Sequence, residues 1–110
     1  MKFGLKDIIL IKGKKYEVLS YIDEVDGYDQ KKEEIVGEHL MYELHLIGSN
    51  KLSPTHALKV YKDDFEFGYL FKISTEKPNY PKNSRQRGAV INYVNKIKIS
   101  MDEIERVNNG

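Results

Sequence analysis

The nearest thing to a reactive site in this chain is a set of imidazoles with one carboxylate. His39, Glu43 and His45 fall on the odd positions of the stretch His39–Ile47, and His56 follows shortly after. Side chains two apart on a strand share a face, roughly 6.5–7 Å from one another. Glu43 and His45 could therefore converge on one ion, and imidazole with carboxylate suits zinc, nickel or non-haem iron. A metal site usually takes three or four ligands. His39 lies too far along the strand to join without a bulge, and His56 shares its face with Leu58 and Val60. A metal-dependent activity at Glu43 and His45 is the enzymatic alternative; the plainer reading is of histidines on the outer face of a sheet.

Other catalytic templates are missing. The chain has no glycine-rich phosphate loop, no Gly-x-Ser-x-Gly and no His-Glu-x-x-His. Ser53 and His56 lack a third partner, and Asp63-Asp64 sits at a turn with nothing nearby to tune a carboxylate pair. The expectation is a protein without a catalytic residue or cofactor.

Three features suit binding instead. The first is the segment Lys77–Arg87, where Lys77, Lys82, Arg85 and Arg87 surround Tyr80 with no acidic residue between them. Cations with an aromatic are the material for phosphate contact and base stacking. The second is acidic: Asp23, Glu24, Asp26, Asp29, Glu33 and Glu34. A calcium loop needs ligands at alternate positions and glycine at the sixth; here valine stands third and glycine fifth, so that pattern fails and a solvated loop remains. The third is tyrosine, eight residues with no tryptophan. Tyr42, Tyr61 and Tyr69 lie on strands, and large amphipathic rings are common in protein interfaces.

A length of 110 residues with 40% apolar and 32% charged content describes one globular domain, 1–110. Eighteen basic and seventeen acidic residues nearly cancel, so any pull on nucleic acid must come from a local patch. The absence of cysteine rules out disulfides and thiolate chemistry and fits a reducing compartment. Ile8–Ile11 is too short for a signal-peptide core or a membrane span, so the expected location is cytoplasmic, with no membrane partner.

The elements read mainly as strands. Ile8–Ile11 and Tyr16–Val25 flank Lys12-Gly13 as a hairpin. In the second of these, Tyr16, Val18 and Ile22 share one face and Leu19 and Tyr21 the other. Asp23–Glu38 reads as a solvated loop with one helical turn through Gln30–Glu34. Val36–Ile47 follows, with Leu40, Tyr42, Leu44 and Leu46 facing the core. A short strand carries Leu58 and Val60. Phe65–Ser74 is the strongest amphipathic strand, with Phe65, Phe67, Tyr69, Phe71 and Ile73 on one face. Thr75–Gly88 is a long polar loop. Ala89–Ile99 fits both a strand face (Ile91, Tyr93, Ile97, Ile99) and a helical stripe, and its β-branched residues favour strand. Ser100-Met101-Asp102-Glu103 reads as a capping box opening a short helix that stops at Asn108-Asn109-Gly110.

The opening Lys6-Asp7-Ile8-Ile9-Leu10-Ile11-Lys12-Gly13-Lys14-Lys15-Tyr16-Glu17-Val18 resembles the first hairpin of small SH3-like barrels, with Lys6 where that pattern often has glycine. Together with Tyr42-Glu43-Leu44-x-Leu46 and Leu58-x-Val60, residues 5–73 resemble a family of uncharacterised prokaryotic all-β domains. The resemblance implies a fold and no site residues. The expected architecture is a small antiparallel barrel or bent sheet of five to six strands with a C-terminal helix. The expected function is a non-catalytic binding module. A protein partner or self-association through Tyr42, Tyr61 and Tyr69 comes first; nucleic acid through Lys77, Tyr80, Lys82, Arg85 and Arg87 is the alternative.

Overall fold

A computed structural model describes residues 3–51, 53–76 and 90–107. Among the described residues nine strands are formed: β1 (Ile8–Ile11), β2 (Lys14–Glu24), β3 (Gly27–Asp29), β4 (Glu34–Val36), β5 (His39–Leu46), β6 (His56–Tyr61), β7 (Phe67–Glu76), β8 (Val90–Ser100) and β9 (Glu105–Arg106). Seven of them make one sheet in the order β8-β7-β6-β5-β2-β1-β9, curled into a half-barrel. All of its pairings are antiparallel. Strands β3 and β4 form a separate hairpin arm.

Local sequence explains the first pairing. Lys12 and Gly13 both have positive φ (50° and 81°), the conformation that a two-residue hairpin turn needs to match strand twist. It sets Ile9 against Tyr16 and Ile11 against Lys14. Ile9, Ile11, Tyr16 and Val18 then enter one core with Tyr42, Leu44, Leu58, Val60, Leu70 and Ile99, and Phe3, Met101 and Ile104 complete it.

The expected strand count and C-terminal helix are both corrected. After β8 the chain makes a single 3-10 turn, Met101–Glu103, and the Ser100 side chain accepts no capping hydrogen bond. Met101 and Ile104 are both buried, so one tight turn already delivers their apolar surface to the core. Ile104 leaves in an extended conformation, β9 pairs with β1, and the Val107 amide donates to the Ile8 carbonyl. A helix of so few residues is marginal in water, whereas an unpaired β1 edge would leave backbone groups open. Edge pairing overrides the capping signal.

Two further readings change. Asp23–Glu38 is not a loop with a helical turn: β2 continues to Glu24, and β3 and β4 pair from Gly27↔Val36 to Asp29↔Glu34. Gly37, at φ +71°, breaks the chain there, so β5 starts at His39 and not at Val36. In β7 the core receives Gly68 and Leu70, not the aromatic row. The strand reading of the segment after position 89 agrees with β8. Among the described residues no helix is long and apolar enough to cross a membrane.

Candidate functional site

Cross-strand register builds one continuous row across the sheet face opposite the core. Ile22 lies beside Met41, Met41 beside Lys59, Lys59 beside Tyr69, and Tyr69 beside Lys98. A second row runs from Ser20 through Glu43 and Ala57 to Phe71. Along β7 the same face carries Phe67, Tyr69, Phe71 and Ile73, all half-buried.

β8 reaches this face through a bulge. Its pairing with β7 slips between Leu70↔Ile97 and Lys72↔Val94, and Asn95 takes φ +57°, a left-handed conformation that asparagine tolerates. The extra residue inverts the alternation. Tyr93 therefore joins Lys96 and Lys98 on one face, although odd and even positions would otherwise oppose each other. Ile97 and Ile99 turn to the core side, so Tyr93 is parted from Ile97 and Ile99, with which the sequence grouped it. A bulge between Val18 and Ser20 does the same in β2, placing Ile22 on the aromatic face, away from Tyr16 and Val18.

The rings and cations on this face touch. Tyr61 and Tyr69 have centroids 6.0 Å apart, as do Phe71 and Tyr93. Lys59 Nζ lies 4.8 Å from the Tyr61 ring centre, Lys96 Nζ 4.5 Å from that of Tyr69, and Lys98 Nζ 4.1 Å from that of Phe67. Such contacts are attractive because the ring face is electron-rich. The ion pairs among the described residues leave out Lys96 and Lys98.

Burial pushes the Tyr93 phenol up, and the carboxylates of Glu24 and Glu43 add to the shift. Those residues sit on β2 and β5, on the far side of β6 and β7. The register puts Glu24, Glu43 and Tyr93 on one face of the sheet, here termed the trough. The trough is basic on its β7–β8 side and acidic on its β2–β5 side. At the acidic rim Asp26 accepts hydrogen bonds from Lys59 Nζ and Tyr61 Oη, both at 2.8 Å. These donors hold its carboxyl below the usual carboxylate range. His39 is buried beside it, donating from Nδ1 to the Gly37 carbonyl at 2.8 Å, with Nε2 facing Glu24 at 3.2 Å.

The tyrosine trio does not form one surface. Tyr61 and Tyr69 share the trough, but Tyr42 is 1% exposed on the opposite side of the sheet. There it packs against Phe3 and Tyr21 and forms the floor of a crevice edged by Leu40 and Asp23. Position 42 alternates with 41 and 43 along β5, so its ring must face the core while Met41 and Glu43 face the trough. Lys77, Tyr80, Lys82, Arg85 and Arg87 lie outside the described residues.

Glu43 accepts from Ser20 Oγ at 2.9 Å, and His45 Nε2 donates to the Lys51 carbonyl at 2.8 Å. His39 is not a solvent-facing residue, and His56 stacks edge-on against Tyr16 at 5.0 Å. Among the described residues no three of His, Asp and Glu are grouped to hold a metal ion.

Sequence reasoning missed Lys59, Phe67, Phe71, Tyr93, Lys96 and Lys98 as members of one surface. A signal was present in the distribution of charge. Residues 67–100 hold seven basic residues and one acidic, whereas the other seventy-six hold eleven basic and sixteen acidic. Near-neutrality of the whole conceals two oppositely charged parts. The chain matches no protein-family model, and no curated protein or solved structure matches it.

Proposed function

We propose that this protein is a non-catalytic module that binds single-stranded nucleic acid in the trough of β6, β7 and β8. The observation that carries the reading is the interleaving of Phe67, Tyr69, Phe71 and Tyr93 with Lys59, Lys96 and Lys98 on one sheet face. Flat rings accept unpaired bases without regard to sequence, and ammonium groups between them meet the phosphates. A duplex keeps its bases stacked internally, so it could use the cations and not the rings. The concentration of positive charge in residues 67–100 supports the same reading, and the basic segment Lys77–Arg87 belongs to that stretch of sequence.

The test is anisotropy of a labelled single-stranded oligonucleotide of about 15 nucleotides, titrated at several salt concentrations. Affinity should fall steeply with salt. Lys96→Ala with Lys98→Ala should flatten that slope, and Tyr69→Ala or Phe71→Ala should cost about 1–3 kcal/mol at fixed salt. Absence of binding at low salt, or binding indifferent to all four substitutions, rejects the trough. A protein partner is the second reading, favoured by the exposed hairpin arm. A cytoplasmic location remains part of the proposal, supported by the cysteine-free composition.

A further inference from the structure

The β3–β4 arm carries apolar surface that the described structure leaves uncovered. Tyr28 and Ile35 are directly opposed across the two strands, so they share one face, and they are 58% and 55% exposed. Asp29 and Glu34 oppose each other on the other face. The stretch Asp26–Glu38 holds five carboxylates against two lysines. Paired across the hairpin, tyrosine and isoleucine support each other, yet more than half of each side chain's surface stays in water.

At one edge of the seven-stranded sheet, β8 presents the complementary pattern. Among the described residues it pairs only with β7, so its outer backbone edge is open. Val94 and Ile97 stand 36% and 43% exposed on one face of that edge, and Lys96 and Lys98 stand on the other. Lysines and a bulge on an edge strand normally discourage pairing with another strand. They do so through charge and shape, and an acidic strand turns the charge into attraction.

We infer that the arm of one copy adds to the β8 edge of a second copy of this chain. The arm brings two strands, and the register that sets acidic against basic side chains fixes which faces meet. Tyr28 and Ile35 extend the Val94/Ile97 side, while Asp29 and Glu34 extend the Lys96/Lys98 side. The occupant is chosen by charge: an acidic arm and a basic edge, of matching alternation, belong to the same polypeptide. Because arm and edge are different surfaces, two copies can satisfy each other reciprocally, or each can leave one end free for another copy. Nucleic acid in the trough would compete for Lys96 and Lys98.

Mass is measured against protein concentration by sedimentation or light scattering, with no nucleic acid present, so the outcome is independent of the oligonucleotide titration. At low salt the mass should rise from monomer to at least dimer, and fall back in high salt as the charges are screened. Glu33→Lys with Glu34→Lys should hold the protein monomeric, as should Lys96→Glu with Lys98→Glu in a separate variant. Mixing the two variants should restore association, because the reversed arm meets the reversed edge. Tyr28→Ser with Ile35→Ser should also weaken association while leaving every charge in place. A wild-type monomer at all concentrations overturns the inference. So does association that survives both reversals, or a mixture that stays monomeric.

Discussion

Gly37 and Asp26 occupy the same space, and only the absence of a side chain at Gly37 lets Asp26 sit where it does. A Cβ at Gly37 would lie 2.6 Å from both Cβ and Cγ of Asp26, and the backbone there has φ +71°. Asp26 in turn ties the start of the arm to Lys59 and Tyr61 at the rim of the trough. One glycine therefore governs how the arm meets the sheet.

Gly37→Ala should destabilise the fold by about 2–3 kcal/mol, combining left-handed strain with the displaced carboxylate. Urea denaturation measures it. Asp26→Gly combined with Gly37→Ala should cost less than the two single losses added together, since the clash is then absent. Additive losses would mean that the two residues do not compete for space.

Asp26 also predicts a pH dependence. Its carboxyl is held low by hydrogen bonds from Lys59 and Tyr61, so in acid the unfolded chain binds a proton more readily than the folded one. The stabilisation is present above the unfolded value of about 3.9 and is lost as pH falls through the lower folded value. Asp26→Asn should flatten the stability profile in that acidic window and leave its slope near neutrality unchanged.

His56 runs in the same direction for a different reason. Burial, reinforced by the charges of Lys14, Lys72 and Lys51, holds its imidazole below the usual histidine value. The unfolded chain protonates first as pH drops through about 6.5, so stability declines from there to the folded midpoint and is flat below it. Titration of the ring followed by NMR should give a midpoint under 6.5. A midpoint at or above 6.5 would contradict the burial of this ring against Tyr16.

Lys6 occupies the left-handed region at φ +67°, its amide donating to the Val18 carbonyl at 2.8 Å. Glycine would remove about 1–2 kcal/mol of strain there at an entropic cost of about 0.5–1 kcal/mol. Lys6→Gly should thus stabilise the protein by about 0.5–1 kcal/mol in chemical denaturation. A loss of stability would mean that the lysine side chain contributes contacts worth more than its strain.

Much of the sheet was legible because alternation and turn chemistry are local. Lys12-Gly13 marks the first hairpin, and Leu40, Tyr42 and Leu44 point to the core as their spacing says. The trough was not legible, for reasons that lie beyond any one segment. The bulges at Leu19 and Asn95 exchange the faces of β2 and β8 midway, so counting in twos assigns Ile22 and Tyr93 to the wrong neighbours. The aromatic row of β7 looks more apolar than Gly68 and Leu70, yet the core takes the latter. A Cβ at Gly68 would lie 3.0 Å from Met101 Sδ and 3.1 Å from Leu58 Cδ1. That close approach is a tertiary fact. The final turn shows the same conflict: Ser100–Glu103 spells a helix start, and the open edge of β1 outbids it.

The pairing of β9 with β1 has a consequence for how the molecule is made. Ile9 and Leu10 wait for Arg106 and Glu105, which arrive at the opposite end of the described chain. The entropy of closing so long a loop is not recovered until the intervening strands have assembled. During synthesis, and early in refolding, Ile8–Ile11 is paired with β2 on one side and presents its outer edge to any neighbour on the other. The seam that completes the native sheet is an open edge in the nascent chain.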